Sequence, residues 1–295
     1  MKPIVSIITI NFNGLHDTCA MIGSLKQHET YPYEVIVVDN GSKQDEASII
    51  AERYPTVKVV RNENTGFAGG NNVGLRLAEG EYIFFLNNDT EIKEPVLEKL
   101  VTPLKMNEKC GGVSPMIRYF HAPDTLQYAG FTELTDITLR NSCIGFGESH
   151  KLHTQAHPTA SLHGAAMMVP MRVIEKVGTM TEIYFLFYEE LDWSEQIKRG
   201  GYELWYEPSV SIYHKEGQTA RKGSAMREFY LSRARVLFAR RNRFGFKRLL
   251  CCLYLLSIAT PKKALTYLLQ GEGKLAWAAI KGSIKGLFMV IGPTV

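Results

Sequence analysis

Tyr82-Ile83-Phe84-Phe85-Leu86-Asn87-Asn88-Asp89-Thr90 places a short apolar run directly before a polar one. Continuous apolar character suits a strand buried on both faces, the kind found in parallel sheets covered by helices. Runs of the same kind lie at residues 4–10, 34–38 and 57–60, with helix-like stretches at 15–27, 45–53 and 68–78 between them. This β-α-β-α-β-α-β rhythm predicts an α/β, Rossmann-like domain with a mainly parallel sheet and helices on both faces. In such sheets ligands bind beyond the carboxyl ends of the strands.

Those ends read Thr9-Ile10-Asn11, Val38-Asp39-Asn40-Gly41-Ser42, Arg61-Asn62-Glu63-Asn64-Thr65-Gly66 and Leu86-Asn87-Asn88-Asp89-Thr90. One Asn or Asp after a strand is an ordinary turn or helix cap. Four ends in register, each polar, favour a ligand site. Asp39 is suited to accept hydrogen bonds from a base N–H or a ribose hydroxyl. Gly66, Gly69 and Gly70 would let the backbone approach a phosphate at a helix start, where free N–H groups point outward. Asp89 could hold a hard cation, Mg2+ or Mn2+, which also takes diphosphate oxygens.

A second cluster, Tyr184-Phe185-Leu186-Phe187-Tyr188-Glu189-Glu190-Leu191-Asp192-Trp193, sets three carboxylates among aromatics at a helix start. Acids in a first turn serve the helix dipole, yet crowding also raises a carboxylate pKa and suits it to proton abstraction. The predicted helix covers 191–199 and ends at Gly200-Gly201. Short strands are expected at 204–206 and 210–213, parted by Pro208, with His214 as a candidate ligand where the second ends. Residues 111–165 read as loops and an antiparallel extension.

The quoted strand ends, with Val5-Ser6-Ile7-Ile8-Thr9-Ile10-Asn11-Phe12-Asn13 and Asn64-Thr65-Gly66-Phe67-Ala68-Gly69-Gly70-Asn71-Asn72, closely resemble glycosyltransferase family 2, in particular its bacterial rhamnosyltransferase-like members. The resemblance runs over roughly residues 4–245. It implies a GT-A fold, a nucleotide-sugar donor, a divalent metal and inversion at the anomeric carbon. By resemblance Asp39 contacts the nucleoside, helped by Thr9, Asn11 and Gly69-Gly70-Asn71. Asn87-Asn88-Asp89 fills the place of the Asp-x-Asp metal motif, so Asn88 and Asp89 fall on the donor side and Asp89 on the metal. Glu189-Glu190-x-Asp192 matches Glu-Asp-x-Asp, which puts the base at Glu190 with Asp192 as the second candidate. His214, opening His-Lys-Glu-Gly-Gln-Thr, matches a histidine that helps hold the metal in several relatives. The chain departs from the pattern at Asn87, which removes one metal carboxylate, at Glu190 where many relatives have Asp, and at His163, unusual beside the acceptor. The subgroup points to dTDP-L-rhamnose as donor; the residues themselves do not separate it from a UDP-hexose.

Charge is divided along the chain. Residues 1–214 carry eighteen Lys/Arg against twenty-seven Asp/Glu; residues 215–295 carry sixteen against three. A GT-A catalytic domain over 1–220 followed by a basic, apolar helical region over 221–295 accounts for this. Apolar runs at 249–259, 275–280 and 287–291 alternate with Lys262, Lys263, Lys274, Lys281 and Lys285. Short apolar helices with lysines at their borders suit an anionic membrane surface and a lipid-linked glycan acceptor at its cytoplasmic face. The alternative is a helical subdomain packed on the catalytic core or across a homodimer. The longest apolar run is half a membrane span, which argues against a spanning helix, and Pro261 is expected to break the helix before it. The aromatics among the arginines of 221–248 fall at helical spacing and read as packing, so no nucleic-acid partner is expected. A non-catalytic nucleotide- or polysaccharide-binding module is the rival class, disfavoured because Asp89, Glu190 and Asp192 are all present. The five cysteines show no metal-ligand spacing and read as reduced thiols, and no secretory signal follows the first residues.

Overall fold

The computed structural model describes residues 3–215 and 223–292. The expected first hundred residues are found: β1 (Val5–Asn11), α1 (Leu15–His28), β2 (Tyr33–Asp39), α2 (Glu46–Arg53), β3 (Lys58–Arg61), α3 (Gly66–Leu75) and β4 (Tyr82–Leu86). β1 lies between β2 and β4, and β2 pairs β3, all parallel. Ile7, Ile8, Ile36, Val37, Phe84 and Phe85 are buried on both faces of this sheet.

Beyond β4 the chain is more regular than its sequence suggests. After β5 (Thr90–Glu91) and α4 (Leu97–Met106) comes β6 (Cys110–Tyr119), a ten-residue strand within the stretch read as loops. Gly111, Gly112, Ser114 and Pro115 carry little strand propensity. The strand forms because it occupies the middle of the sheet, where Cys110, Val113, Met116 and Ile117 join the core. β7 (Leu126–Tyr128), β8 (His157–Pro158), β9 (Ala166–Pro170), α5 (Met171–Val177), α6 (Glu189–Arg199) and β10 (Glu203–His214) follow. The strands at 204–206 and 210–213 are thus one: the register shift between Glu207 and Ser211 absorbs Pro208 as a bulge. The sheet runs β3-β2-β1-β4-β9-β6-β10-β5, with β9 antiparallel to β4 and β6, and β10 antiparallel to β5. It is mixed, parallel in its first half.

α7 (Ala225–Asn242) leads into α8 (Gly245–Tyr254), a π-helical turn (Leu255–Ala259), α9 (Thr260–Leu269) and α10 (Gly273–Phe288). Pro261 does not break the chain. It stands in the first turn of α9 just after the π-helical turn, and the helix runs unbroken over Gly245–Leu269. At 25 residues that helix is long and apolar enough to cross a membrane by length and composition, and only 17% of its most apolar window is buried. This revises the expectation drawn from the short apolar run. α10 packs closely on α7 because Gly282 and Gly286 leave no Cβ against the Phe229 and Arg233 backbone. The expected boundary at 220/221 falls within residues 216–222, outside the described residues, as do the Glu-Gly-Gln-Thr that follows Lys215 and the basic residue Arg221.

Candidate functional site

The carboxyl ends of β1, β2 and β3 are tied together before any ligand arrives. Asn11, fully buried, donates from Nδ2 to Asp39 Oδ1 at 3.0 Å and Glu46 Oε2 at 2.7 Å, and accepts from the Thr18 hydroxyl at 2.7 Å. Ser42 Oγ donates to the same Asp39 oxygen at 2.5 Å. Both of these bonds to Asp39 end on Oδ1 and neither of them on Oδ2. Asn11 is therefore placed to aim Asp39 and not to touch a donor itself. Glu46, in the first turn of α2 and not among the residues singled out from the sequence, completes the bracket by accepting from Gly14 N at 3.0 Å. Thr9 is wholly buried, its hydroxyl enclosed in the core without a partner. Alternation along β1 turns the Thr9 side chain inward, away from the strand-end site.

The glycine-rich start of α3 also reads differently in three dimensions. A Cβ on Gly70 would crowd Ile10 and Asn40, and one on Gly69 would run into the Thr65 side chain. Gly70, with Gly74 one turn on against Ile8 and Val38, lets the helix press onto the sheet, as the last glycine of a dinucleotide fingerprint does, while Gly69 makes room for Thr65 at the helix start. Gly66, at φ +80°, turns the chain into the helix where the Phe185 backbone lies against it, and Phe67 N donates to Phe185 O at 2.9 Å. Asn71 is buried with its amide nitrogen unpartnered, a donor at hand for a ligand oxygen.

Asp89 and His214, 125 positions apart, meet across the sheet edge. Antiparallel β5–β10 pairing sets Thr90 opposite His214 and brings His214 Nε2 to 3.2 Å from Asp89 Oδ1. Gln127, on β7 within the stretch expected to form loops and an antiparallel extension, fixes the imidazole. Its Nε2 donates to the His214 carbonyl at 3.2 Å, so its Oε1 faces Nδ1 at 2.7 Å and Nδ1 carries the proton. With Nδ1 turned to Gln127, Nε2 faces the Asp89 carboxylate, and the two could bind one cation together. The pair fits a divalent ion. Among the described residues no group of three or more His, Cys, Asp or Glu could hold a metal, so the remaining ligands would be diphosphate and water. Asn88 turns away from the pair: its Nδ2 donates to Thr18 Oγ1 at 3.0 Å and packs over Gly14.

The turn at 163–165 joins this corner to α6. His163 Nδ1 accepts from Ala165 N at 3.1 Å, which puts the ring proton on Nε2, and burial holds its pKa down at about 3. The ring is thus a neutral group at working pH. It stacks on Phe131 at 6.1 Å and lies edge-on to His214 at 6.3 Å. Next to it, the Gly164 Cα has room for only one more carbon before the Glu190 side chain, 3.6 Å away from such an atom. His163 and Gly164 stand between the Asp89–His214 pair and Glu190.

Glu189 and Glu190 open α6, which begins two residues earlier than the sequence suggested. Burial pushes both carboxyls up, Glu189 the further because the charge of Glu190 adds to it. Glu189 is 1% exposed with both oxygens unpartnered, while Glu190 is half-buried. Glu190, the less raised and the more exposed of the two, is the one suited to take a proton. Asp192, the other candidate base, is fully enclosed. It receives Arg241 through Nε at 3.1 Å and Nη2 at 3.2 Å, the Tyr184 hydroxyl at 2.9 Å, and the Asn242 amide. A carboxylate with those four donors has no reach to an acceptor; it pins α6 to α7. The approach to α6 is strained, with Phe185, Phe187 and Tyr188 all at positive φ, a conformation costing about 1–2 kcal/mol per residue. Arg233, donating to the Tyr184 carbonyl, and the bond from Phe67 hold it there.

The family model described as Glycosyl transferase family 2 matches residues 6–176. An uncharacterized glycosyltransferase of Haemophilus influenzae is 32% identical over 44% of this chain and 43% of its own length, so the chain spans less than half of that relative. An N-acetylglucosaminyl-diphospho-decaprenol L-rhamnosyltransferase of Mycobacterium tuberculosis is 20% identical over 75% of this chain and 79% of its own. Among solved structures, a mannosyltransferase from Pyrobaculum calidifontis in complex with GDP-Man and Mn2+ superposes with a TM-score of 0.58 at 18% identity, covering 98% of this chain and 88% of that one.

Proposed function

The chain belongs to glycosyltransferase family 2 and has the GT-A fold, and from that premise we propose that it is an inverting, metal-dependent enzyme. It moves a sugar from a nucleotide diphosphate to a hydroxyl of a lipid-linked or growing cell-surface glycan. The observation that carries this reading is the joint placement of the Asp89–His214 pair and Glu190 on either side of the 163–165 turn. Asp39 Oδ2 would take the nucleoside. Asp89 and His214 would hold Mg2+ or Mn2+, which when bound neutralises charge on the leaving diphosphate. Glu190 removes the proton from the acceptor hydroxyl as its oxygen attacks the anomeric carbon from the opposite side, and the nucleoside diphosphate departs. Holding donor and acceptor in line supplies much of the rate. L-Rhamnose from dTDP-L-rhamnose is the proposed donor, supported by the mycobacterial relative's name, with a UDP-hexose as the second reading. A panel of nucleotide sugars with Mn2+ tests it: dTDP-L-rhamnose should raise the unfolding temperature most. Protection by UDP-sugars alone would move the donor to UDP-hexose, and protection by none would overturn the reading.

We further propose that α8–α10 lie on the cytoplasmic face of the plasma or inner membrane. Phe246, Leu269, Trp277 and Phe288 are 65–80% exposed, and each would gain about 1.5–3 kcal/mol on full burial. Lys262, Lys274, Lys281 and Lys285 are also exposed and would meet anionic headgroups. Because α10 covers α7, and Arg240 donates to the Gly286 and Met289 carbonyls at 2.8 and 2.7 Å, deleting residues 247–295 would damage the catalytic unit. Substitution of the outer face is the cleaner test. The full chain should sediment with phosphatidylglycerol vesicles at low salt, and Trp277→Ser with Phe288→Ser should release it while leaving donor protection unchanged. Failure of the unaltered chain to sediment would make this face a homodimer or partner contact.

A further inference from the structure

Between α7, the π-helical turn, α9 and α10 lies a cavity of about 160 Å3, far below the roughly 300–1,000 Å3 of a site that takes a whole organic ligand. Its polar lining is Tyr188, Ser232, Arg235, Thr260, Lys263 and Ser283. Two cations, three aliphatic hydroxyls and a phenol make an anion's surroundings. Lys263 is neutralised by Glu228 at 2.7 Å, and that carboxylate also accepts from Ser232 at 2.6 Å and Tyr267 at 2.8 Å. Arg235 has no such partner. It donates from Nη2 to the Thr138 carbonyl at 2.6 Å, its Nε is buried without an acceptor, and no carboxylate lies within ion-pair distance among the described residues. A part-buried guanidinium without a counter-ion is unfavourable, and an anion in the cavity would offset that.

Position says which anion. One wall is the helix whose outer side carries the exposed Leu253, Ile258 and Leu265. The other is Tyr188, the residue before the Glu189–Glu190 pair. Burial pushes the Tyr188 phenol up, Arg235 opposes that and Glu190 adds to it, so this ring lies within electrostatic reach of both the cavity cation and the proposed base. The π-helical turn widens the helix at the cavity, as such turns often do at functional sites.

We propose that this cavity receives the phosphate or diphosphate of the lipid-linked acceptor, with Arg235 as its main ligand, so that the lipid lies along α8–α10 and the acceptor sugar reaches Glu190. The proposal rests on the lipid-linked reading of the acceptor. Its test uses no nucleotide sugar, so a chain that bound the anion yet transferred nothing would keep the site and lose the function. Farnesyl diphosphate, inorganic pyrophosphate and farnesol are titrated against full-length protein whose donor site is saturated with a nucleoside diphosphate and Mn2+. Farnesyl diphosphate should bind, farnesol should not, and Arg235→Gln should weaken binding about ten- to hundredfold. Lys263→Gln, at a half-exposed position, should weaken it less and serves if Arg235→Gln fails to fold. Unchanged binding in a folded Arg235→Gln, or in Lys263→Gln where only that variant folds, would overturn the proposal. Pyrophosphate binding as tightly as farnesyl diphosphate would assign the cavity to a free anion and overturn the lipid assignment. Displacement of farnesyl diphosphate by phosphatidylglycerol vesicles, with no displacement by pyrophosphate, would give the cavity to a membrane headgroup and overturn it as well.

Discussion

Replacing Glu190 with Gln is expected to lower transfer by about two to four orders of magnitude. The amide keeps the shape of the carboxylate but cannot take a proton. Because burial raises the Glu190 carboxyl, wild-type transfer should fall with acid through a pKa above the ordinary glutamate range: the base works only as the carboxylate, so activity is present above that value and lost below it. Glu190→Gln should abolish this limb of the pH profile and leave donor protection unchanged. Asp192→Asn separates the two carboxylates. Removing one member of a buried ion pair costs about 3–5 kcal/mol, so this variant should show a large loss in denaturant midpoint along with any loss of rate. A deep fall in rate at unchanged stability for Asp192→Asn, with Glu190→Gln near wild type, would move the base to Asp192.

Asp89→Ala should cost about a hundredfold or more, since charge stabilisation on a leaving diphosphate is worth several kcal/mol. The fold should survive, because Asp89 sits at the sheet rim and its carbonyl still accepts from Lys215 N at 2.9 Å. His214→Ala should raise the Mn2+ concentration needed for half-maximal rate before it lowers the maximum. Gln127→Leu should act in the same direction more weakly, by freeing the imidazole to turn. Full wild-type activity in excess chelator would dispose of the metal and of all three expectations.

The amino-terminal half of the fold was legible because each element there follows one local period, from the all-apolar β4 to the helix of residues 15–28. β6 was hidden since its Gly-Gly and Ser-Pro steps make a poor strand anywhere except the sheet centre. Pro261 misled for a related reason: proline ends a regular helix, but it fits a new first turn after a π-helical one. In the site, Asp39, Asp89 and Glu190 stood out as acids at strand and helix ends. Their supports did not. Glu46, Gln127 and Arg241 act through contacts made only by folding, and so does Asn11, whose amide joins Asp39 to Glu46.

The pin between Asp192 and α7 has a consequence for how the molecule is made. Asn11, Asp39, Ser42 and Glu46, which make the bracket around the Asp39 carboxylate, are all synthesised by residue 46. The base cannot be fixed until Arg241 and Asn242 emerge, 49 and 50 positions after Asp192. At about 5–20 residues per second that is an interval of about 3–10 seconds. A nascent chain that has reached only β10 lacks the contacts that fix the proposed base. Turnover through the proposed base is thereby tied to chains that already carry the start of the C-terminal helices.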